Sequence, residues 1–247
     1  MYVAGPARLE TARCETAVMA VHLISVIGSS PGVGKSTLCG AVAEWLSGMG
    51  ASVDHFEEAD VLTRPAFGPV AEEFADGAGT VRPATLVACT RAYVAESLRA
   101  GREYLVTDAL LPFIPSLVAW GHDEEAIVRF LGELARAVEP ARVTVVYVHG
   151  DPEKALGRAI EREGDAWGDW YVRKLAGSPG TRAVHDLASA AGHLRFEADL
   201  TRRLLARAPW RLLTVDVEAL DARGAYARTR RLLTAELGPA ASAGLEG

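Results

Sequence analysis

Two kinds of hydrophobic pattern alternate along the chain. Short runs rich in β-branched and aliphatic residues are typical of strands buried in a sheet. Longer stretches in which apolar residues recur every three or four positions are typical of helices. The strand-like runs cover residues 21–27, 51–56, 104–107, 142–149 and 211–217, and the main helical stretches cover residues 36–49, 84–100, 122–137, 151–162, 182–208 and 222–237. This alternation predicts an α/β fold with a five-stranded parallel sheet covered by helices on both faces.

The alternation continues from residue 21 to about residue 240 without a linker, so we expect a single domain over 21–240. Residues 1–20 show no clear period and are predicted to form a tail or a docked extension. The connection between the second and third strands is too long for a simple crossover, which predicts a substrate lobe over residues 60–121. Residues 150–180 follow the fourth strand and are predicted to form a helical lid region.

The composition narrows the function classes. The formal net charge is −6 over 247 residues, which argues against a dedicated nucleic-acid binder. The cysteines Cys14, Cys39 and Cys89 form no C-x-x-C pair, which is typical of a reducing compartment and excludes a zinc site built on such pairs. No apolar run is long enough for a membrane span. We therefore expect a cytoplasmic protein with no membrane or nucleic-acid partner, and a homodimer is one alternative for its oligomeric state.

The stretch from Ile27 to Leu38, IGSSPGVGKSTL, follows the first predicted strand and opens the first helix. Strand, glycine loop, Lys-Ser and helix form the context that a P-loop motif requires. Glycines at positions 32 and 34 allow backbone conformations that are closed to other residues, so that N–H groups can face a phosphate. Lys35 can bridge the β- and γ-phosphates of a nucleotide, and the hydroxyl of Ser36 can bind Mg²⁺.

The motif departs from G-x-x-x-x-G-K-[ST] at one position, because Ser29 occupies the place of the first glycine while Gly28 lies one residue earlier. The tight turn after the strand is therefore expected to be made differently. The predicted nucleotide-binding residues are Ser30, Pro31, Gly32, Val33, Gly34, Lys35, Ser36 and Thr37.

Carboxylates follow two of the predicted strands. Glu57, Glu58 and Asp60 follow the second strand, and Asp108 ends the third. Acidic residues at the carboxyl ends of parallel strands lie in the ligand crevice of an open α/β sheet. A carboxylate there can orient an acceptor hydroxyl and take its proton. The pattern predicts that Glu57 or Glu58 is the base, with Asp60 as a further candidate, and that Asp108 binds Mg²⁺ or its water.

Two arginines lie four residues apart on one face of the helix predicted over 151–162. Arg158 and Arg162 could close over the transferred phosphoryl group and stabilise its charge, as a lid does. The alternative is a surface helix in which Glu161 and Glu163 pair with these arginines.

Aromatic side chains in the lid and lobe regions could stack on a ring-shaped substrate or pack in the core. They are Trp167, Trp170, Tyr171, Phe113 and Trp120.

These residues, in this order, resemble the nucleoside and nucleotide kinase group of P-loop proteins, which includes deoxynucleoside kinases and thymidylate kinases. GSSPGVGKST is similar to the phosphate loop of the group, HFEE lies where deoxynucleoside kinases carry their Glu base, and DPEKALGRAIEREG is similar to the segment with the lid arginines. The resemblance implies a sheet order of 2-3-1-4-5. The chain departs from this group at Ala109, which stands where deoxynucleoside kinases have an arginine. Antibiotic-phosphorylating kinases such as chloramphenicol phosphotransferase share the same fold and hydroxyl chemistry.

The sequence therefore predicts a kinase that uses ATP or GTP with Mg²⁺ to phosphorylate a hydroxyl of a small molecule. A nucleoside or a nucleoside-like natural product, including an antibiotic, is the expected acceptor. One alternative is a nucleoside monophosphate kinase, in which Arg64, Arg82 and Arg91 would surround the acceptor phosphate. A second alternative is a regulatory P-loop ATPase or switch, although the chain has no N-K-x-D motif and no clear Asp-Glu pair after a strand.

Overall fold

A computed structural model describes residues 21–76 and 79–238, and the predicted tail over 1–20 and the predicted domain end at 239–240 lie outside these ranges. The strands β1 to β5 are His22–Gly28, Val53–Phe56, Tyr104–Thr107, Arg142–His149 and Arg211–Asp216. The helices α1 to α9 of the described ranges are Lys35–Gly48, Gly68–Asp76, Pro83–Arg99, Ile114–Ala119, Glu124–Val138, Pro152–Glu163, Asp165–Ala176, Leu187–Leu205 and Ala222–Leu237. Two 3₁₀ helices, Glu58–Leu62 and Pro65–Phe67, follow β2.

The strands form one parallel sheet in the order β2-β3-β1-β4-β5, which confirms the predicted α/β class. The central strand, β1, pairs with β3 on one side and β4 on the other. Ser25 of β1 lies beside Thr107, the last residue of β3, whereas Gly28 pairs with Val148 of β4. Because β1 continues three residues beyond the end of β3, the loop that follows Gly28 begins at the carboxyl edge of the sheet, where open α/β sheets bind their ligands.

Side chains alternate between the two faces of the sheet along each strand. Helices cover both faces, so both sets of side chains are buried. On β1, Leu23 and Ile27 enter a core cluster with residues of α3, α4, α5 and α8. Ile24 and Val26 enter a second cluster with residues of α1 and α9. Strands enclosed on both faces read as nearly continuous apolar runs, which is why β1 and β4 were predictable from their residues.

The lid region is more regular than the sequence pattern predicts. A bend at Gly164, with φ of 92°, separates α6 from α7, and the predicted helical stretch over 182–208 is shortened to Leu187–Leu205. Residues of α6, α7 and α8 share a third core cluster, so α7 is packed against its neighbours.

None of the helices in the described ranges combines the length and the apolar character that crossing a bilayer requires.

Candidate functional site

The loop between β1 and α1 folds back tightly over the end of its own strand. A Cβ on Gly28 would lie 2.5 Å from Cγ1 of Val33, a distance that real Cβ atoms do not reach. The backbone N–H of Ser29 donates to the carbonyl of Val148, which joins the start of the loop to β4. The close approach that requires a glycine therefore occurs at Gly28, one residue before the usual position, and Ser29 is accommodated after it.

The two later glycines of the loop are needed for different reasons. Gly32 has φ of 75° and lies against α6, where a Cβ would come within 2.1 Å of the carbonyl oxygen of Ala155. Gly34 has φ of 96° and open space around it, so only its backbone conformation calls for glycine. Helix α1 begins directly after Gly34. The first N–H groups of a helix have no acceptor within it and carry partial positive charge, so the loop and helix present donors suited to an anion.

Two serine hydroxyls reinforce this interpretation of the loop. Ser29 and Ser30 are buried, and neither Oγ has a hydrogen-bond partner among the described residues. Buried hydroxyls are nearly always paired, so unpaired ones call for a ligand or for water. The sequence did not single out Ser29 as a functional residue, and the structure adds it to the loop.

Lys35, Ser36 and Asp108 meet at the start of α1. One oxygen of Asp108, Oδ2, accepts hydrogen bonds from Lys35 Nζ at 3.0 Å and from Ser36 Oγ at 2.5 Å. The other oxygen, Oδ1, is buried and has no partner among the described residues. The hydroxyl of Thr107 accepts from the N–H groups of Ala109 and Leu110, both at 3.1 Å, and thereby fixes the turn that presents Asp108.

The ammonium group of Lys35 joins the loop to the acids that follow β2. Its Nζ lies 3.3 Å from Oε2 of Glu58 as well as 3.0 Å from Asp108. Burial works against the charge of Lys35, but the carboxylates of Asp108 and Glu58 outweigh it and raise the pKa of Lys35 above its usual range. The ammonium group therefore stays charged at any pH near neutrality.

The three acids after β2 have different environments. Glu58 is exposed apart from its contact with Lys35. Glu57 is the N-cap of the first 3₁₀ helix, and its backbone N–H donates to Oδ2 of Asp60 at 3.0 Å. Asp60 is half-buried and also pairs with Arg64 at 3.2 Å. Burial opposes ionisation of Asp60, but its hydrogen bonds from the Glu57 N–H and Arg64 lower its pKa. Asp60 is therefore committed to the local structure, and Glu58 is the acid that reaches the loop.

The two predicted lid arginines are separated by the structure. Arg158 donates from Nε to the carbonyl oxygen of Gly32 at 3.2 Å, so it lies against the glycine loop. Arg162, one turn further along α6, pairs with Glu163 at 2.8 Å and is exposed. The surface-pair alternative therefore describes Arg162, while Arg158 contacts the glycine loop.

The geometry fits Mg²⁺ at the Ser36–Asp108 pair. Mg²⁺ in nucleotide sites takes one or two protein oxygens, and the phosphates and waters supply the rest. The hydroxyl of Ser36 and the unpaired Oδ1 of Asp108 provide such a donor set. No group of three or more His, Cys, Asp and Glu side chains that could hold a metal by itself occurs within residues 21–76 and 79–238.

Sequence comparison does not place this chain in a family, because no protein-family model matches it and no curated protein does either. The chemistry of the site is therefore inferred from its own contacts.

The aromatic residues of the lid pack mainly against each other. Trp167 stacks on Tyr171 with ring centroids 5.1 Å apart, and Tyr171 is buried in the cluster of α6, α7 and α8. Phe113 meets Phe130 edge-on, and the indole of Trp120 donates to the carbonyl of Gly79. These contacts assign the rings a packing role. Trp170 also contacts Trp167, with ring centroids 6.2 Å apart, but it is exposed, and the ammonium group of Lys174 lies over its ring.

The arginines proposed for an acceptor phosphate already have carboxylate partners in two of three cases. Arg64 pairs with Asp54 and Asp60. Arg82 pairs with Glu73. Both line an open groove of about 530 Å³ between α2 and α3. None of the predicted catalytic or nucleotide-binding residues lines this groove. The Arg64–Asp60 pair is local, with i,i+4 spacing, whereas Arg64–Asp54 and Arg82–Glu73 depend on where helices and strands meet.

Proposed function

We propose that this protein is an NTP-dependent phosphotransferase that moves the γ-phosphate of a nucleoside triphosphate to a hydroxyl of a small molecule. The observation that carries the proposal is the meeting of Lys35, Ser36 and Asp108 at the start of α1, where Asp108 keeps a buried carboxylate oxygen without a partner. As part of the same proposal, we assign the fold to the P-loop NTPase class, which the strand order β2-β3-β1-β4-β5 supports.

The groups at the glycine loop would divide the binding of the nucleotide, the binding of Mg²⁺ and the stabilisation of charge. The N–H groups of the glycine loop and of the first turn of α1 would bind the phosphates of ATP or GTP, together with the ammonium group of Lys35. Ser36 and Asp108 would hold Mg²⁺ directly or through its waters. Bound there, Mg²⁺ would neutralise charge on the phosphates. Arg158, beside Gly32, would stabilise the equatorial oxygens of the moving phosphoryl group.

The transfer step requires a base near the acceptor hydroxyl. A bond forms between the acceptor oxygen and the γ-phosphorus, the bond from that phosphorus to the bridging oxygen breaks, and the nucleoside diphosphate leaves. Glu58 would orient the hydroxyl and take its proton, because it is the acid after β2 that lies 3.3 Å from the loop lysine. Glu57, its neighbour, is the second candidate.

The contacts of the arginines favour an acceptor without a phosphate. A monophosphate kinase needs unpaired basic residues around the acceptor phosphate, whereas Arg64 and Arg82 are engaged by carboxylates. We therefore propose a nucleoside or a nucleoside-like natural product as the acceptor class, and a cytoplasmic site of action is part of this proposal.

The test is direct. The protein is incubated with ATP or GTP, Mg²⁺ and a panel of nucleosides, their monophosphates, and aminated or phenolic antibiotics, and mass spectrometry detects phosphate added to one of them. Formation of nucleoside diphosphate should match phosphorylated product, and Lys35→Ala should lower both by about 10³-fold. Nucleotide hydrolysis at the same rate with and without every acceptor would contradict phosphotransfer and indicate a regulatory ATPase.

A further inference from the structure

The segment that carries the candidate base has little hold on the core. We call residues 57–63 the acid turn: it comprises Glu57, the 3₁₀ helix Glu58–Leu62 and Thr63. None of its described side chains is buried, and only Val61 packs partly against the main core cluster. Apolar packing therefore does not set the position of Glu58, although transfer requires that position to be accurate.

One guanidinium group connects the acid turn to the sheet. Nη1 of Arg64 donates to Oδ2 of Asp54 at 3.2 Å, and Nη2 donates to the carbonyl oxygen of His55 at 2.8 Å, so two of its hydrogen bonds end on β2. Nη2 also donates to Oδ2 of Asp60 at 3.2 Å. That same Asp60 oxygen accepts the N–H of Glu57, which joins the start of the acid turn to its middle.

The guanidinium itself is held in place by the core. It lies over the ring of Phe56 at 5.4 Å and over the ring of Tyr93 at 5.8 Å, and both rings are buried. Such stacking fixes the plane of the group, and a planar fork of donors fixes the carboxylates and the carbonyl around it. Arg64 thus transmits the rigidity of the core to a turn that has no buried side chain of its own.

We propose that Arg64 is a positioning residue that holds the acid turn in register with the glycine loop and thereby places the base against the acceptor hydroxyl. This inference rests on the proposed function for its kinetic consequence, whereas its structural part stands separately. Arg64 would act on the reaction only through the glutamate that it positions.

Amide hydrogen exchange tests the structural part without any substrate. In Arg64→Gln, the amides of residues 57–63 should exchange about tenfold faster than in the wild type, because the turn opens locally. Arg82→Gln is the matched control, since it also removes an arginine from a carboxylate partner but at an exposed site. Asp60→Asn serves as a second variant that leaves the stacked guanidinium in place. Unchanged exchange in both Arg64→Gln and Asp60→Asn would overturn the proposal.

Kinetics test the consequence. Arg64→Gln should lower kcat about 10²-fold, while the Kd of a non-hydrolysable ATP analogue with Mg²⁺ changes less than about twofold. Arg64→Lys should recover only part of the rate, because an ammonium group cannot reproduce the fork. In a background that already lacks the base, Glu58→Gln, the Arg64 substitution should cost almost nothing further. Losses that simply multiply would indicate a general structural role and reject the positioning role.

The outcomes separate the two proposals. If the wild type transfers phosphate to no acceptor, the proposed function fails, and the exchange data still decide whether Arg64 holds the acid turn. If the wild type is active and the Arg64 variants are equally active, only the positioning role is rejected.

Discussion

The glycine loop and the acid turn meet at the ion pair of Lys35 and Glu58, and they are stabilised in opposite ways. The loop is part of the framework: Gly28 packs against Val33, Gly32 packs against the backbone of α6, and Val33 itself is in a core cluster. The acid turn has no buried side chain among residues 57–63 and is held by polar contacts through Arg64. The difference suggests that changes to the loop backbone reduce stability, whereas changes to the turn reduce activity.

The largest effect is expected at Lys35, the first residue of α1, whose ammonium group pairs with Asp108 and Glu58. Lys35→Ala should lower turnover by about 10³-fold, because it removes the charge that meets the phosphates. Circular dichroism should show a folded protein, since the loop is shaped by backbone and glycine contacts. Lys174→Ala, at an exposed lysine on α7, is the control and should leave the rate unchanged. Loss of the fold in Lys35→Ala would remove the distinction between the side chain and the backbone of the loop.

The next effect separates the two glutamates of the acid turn. Glu58→Gln should reduce kcat about 10²-fold, because the base is lost while the shape of the side chain is kept. Glu57→Gln is its matched control and should stay within about threefold of the wild type, because Glu58 is the residue that reaches Lys35. Steady-state rates with the identified acceptor decide the matter. Equal losses at both positions, or none, would reject the choice of Glu58.

The contrast between loop and turn also explains what the sequence could predict. Strands β1 and β4 are apolar along their middle, so the sequence pattern predicts them as buried parallel strands. The residues that follow β2 and β3 then lie at the same edge of the sheet as the glycine loop. The approach of Glu58 and Asp108 to Lys35 therefore follows from local sequence pattern. The role of Arg64 does not, because it requires Asp54, Phe56 and Tyr93 to converge in space.

Other differences arose where the motif and the packing diverge. The sequence pointed to Ser29 as an irregular position, and only the contact between Gly28 and Val33 shows where the glycine is needed. Helix α7 lies within the predicted helical lid region over 150–180, but its bounds were not predicted, since its start depends on the positive φ of Gly164 and its position depends on a cluster shared with α6 and α8. Local periodicity carries no information on such tertiary contacts.

A third prediction concerns the packing of the glycine loop and is tested by the free energy of unfolding. Gly32→Ala should destabilise the protein by about 3 kcal/mol, because the new Cβ would meet the carbonyl of Ala155 and the positive φ is strained. Gly157→Ala in the neighbouring helix α6 is the matched control, where a Cβ meets nothing within 4 Å. The control should be neutral or slightly stabilising. Chemical denaturation measures both, and similar free energies of unfolding for the two variants would contradict the packed loop.

The smallest effect is expected at the first residue of β1, at the end of the strand opposite the glycine loop. His22 is buried, and its Nε2 lies 2.8 Å from the hydroxyl of Thr144. Burial, with a contribution from the charge of Arg142 that outweighs the opposing effect of Glu236, lowers the pKa of His22 from 6.5 to about 4. The unfolded chain therefore binds a proton on this histidine between those two values, whereas the folded protein does not. By linkage, stability is complete above the unfolded pKa and falls as the pH drops through this window.

Acidification should consequently weaken the framework before it weakens the polar contacts of the acid turn, whose Asp60 has a lowered pKa and stays ionised at about pH 5. His22→Gln keeps a hydrogen-bond partner for Thr144 but cannot titrate, so the loss of stability between about pH 7 and about pH 5 should shrink by about 1–2 kcal/mol. Urea denaturation at the two pH values measures the change. His185→Gln, at an exposed histidine, should leave the pH dependence as it is in the wild type. If both variants retain the full wild-type loss, the acid sensitivity arises elsewhere than at the base of β1, and the framework is not the part of the molecule that acid weakens first.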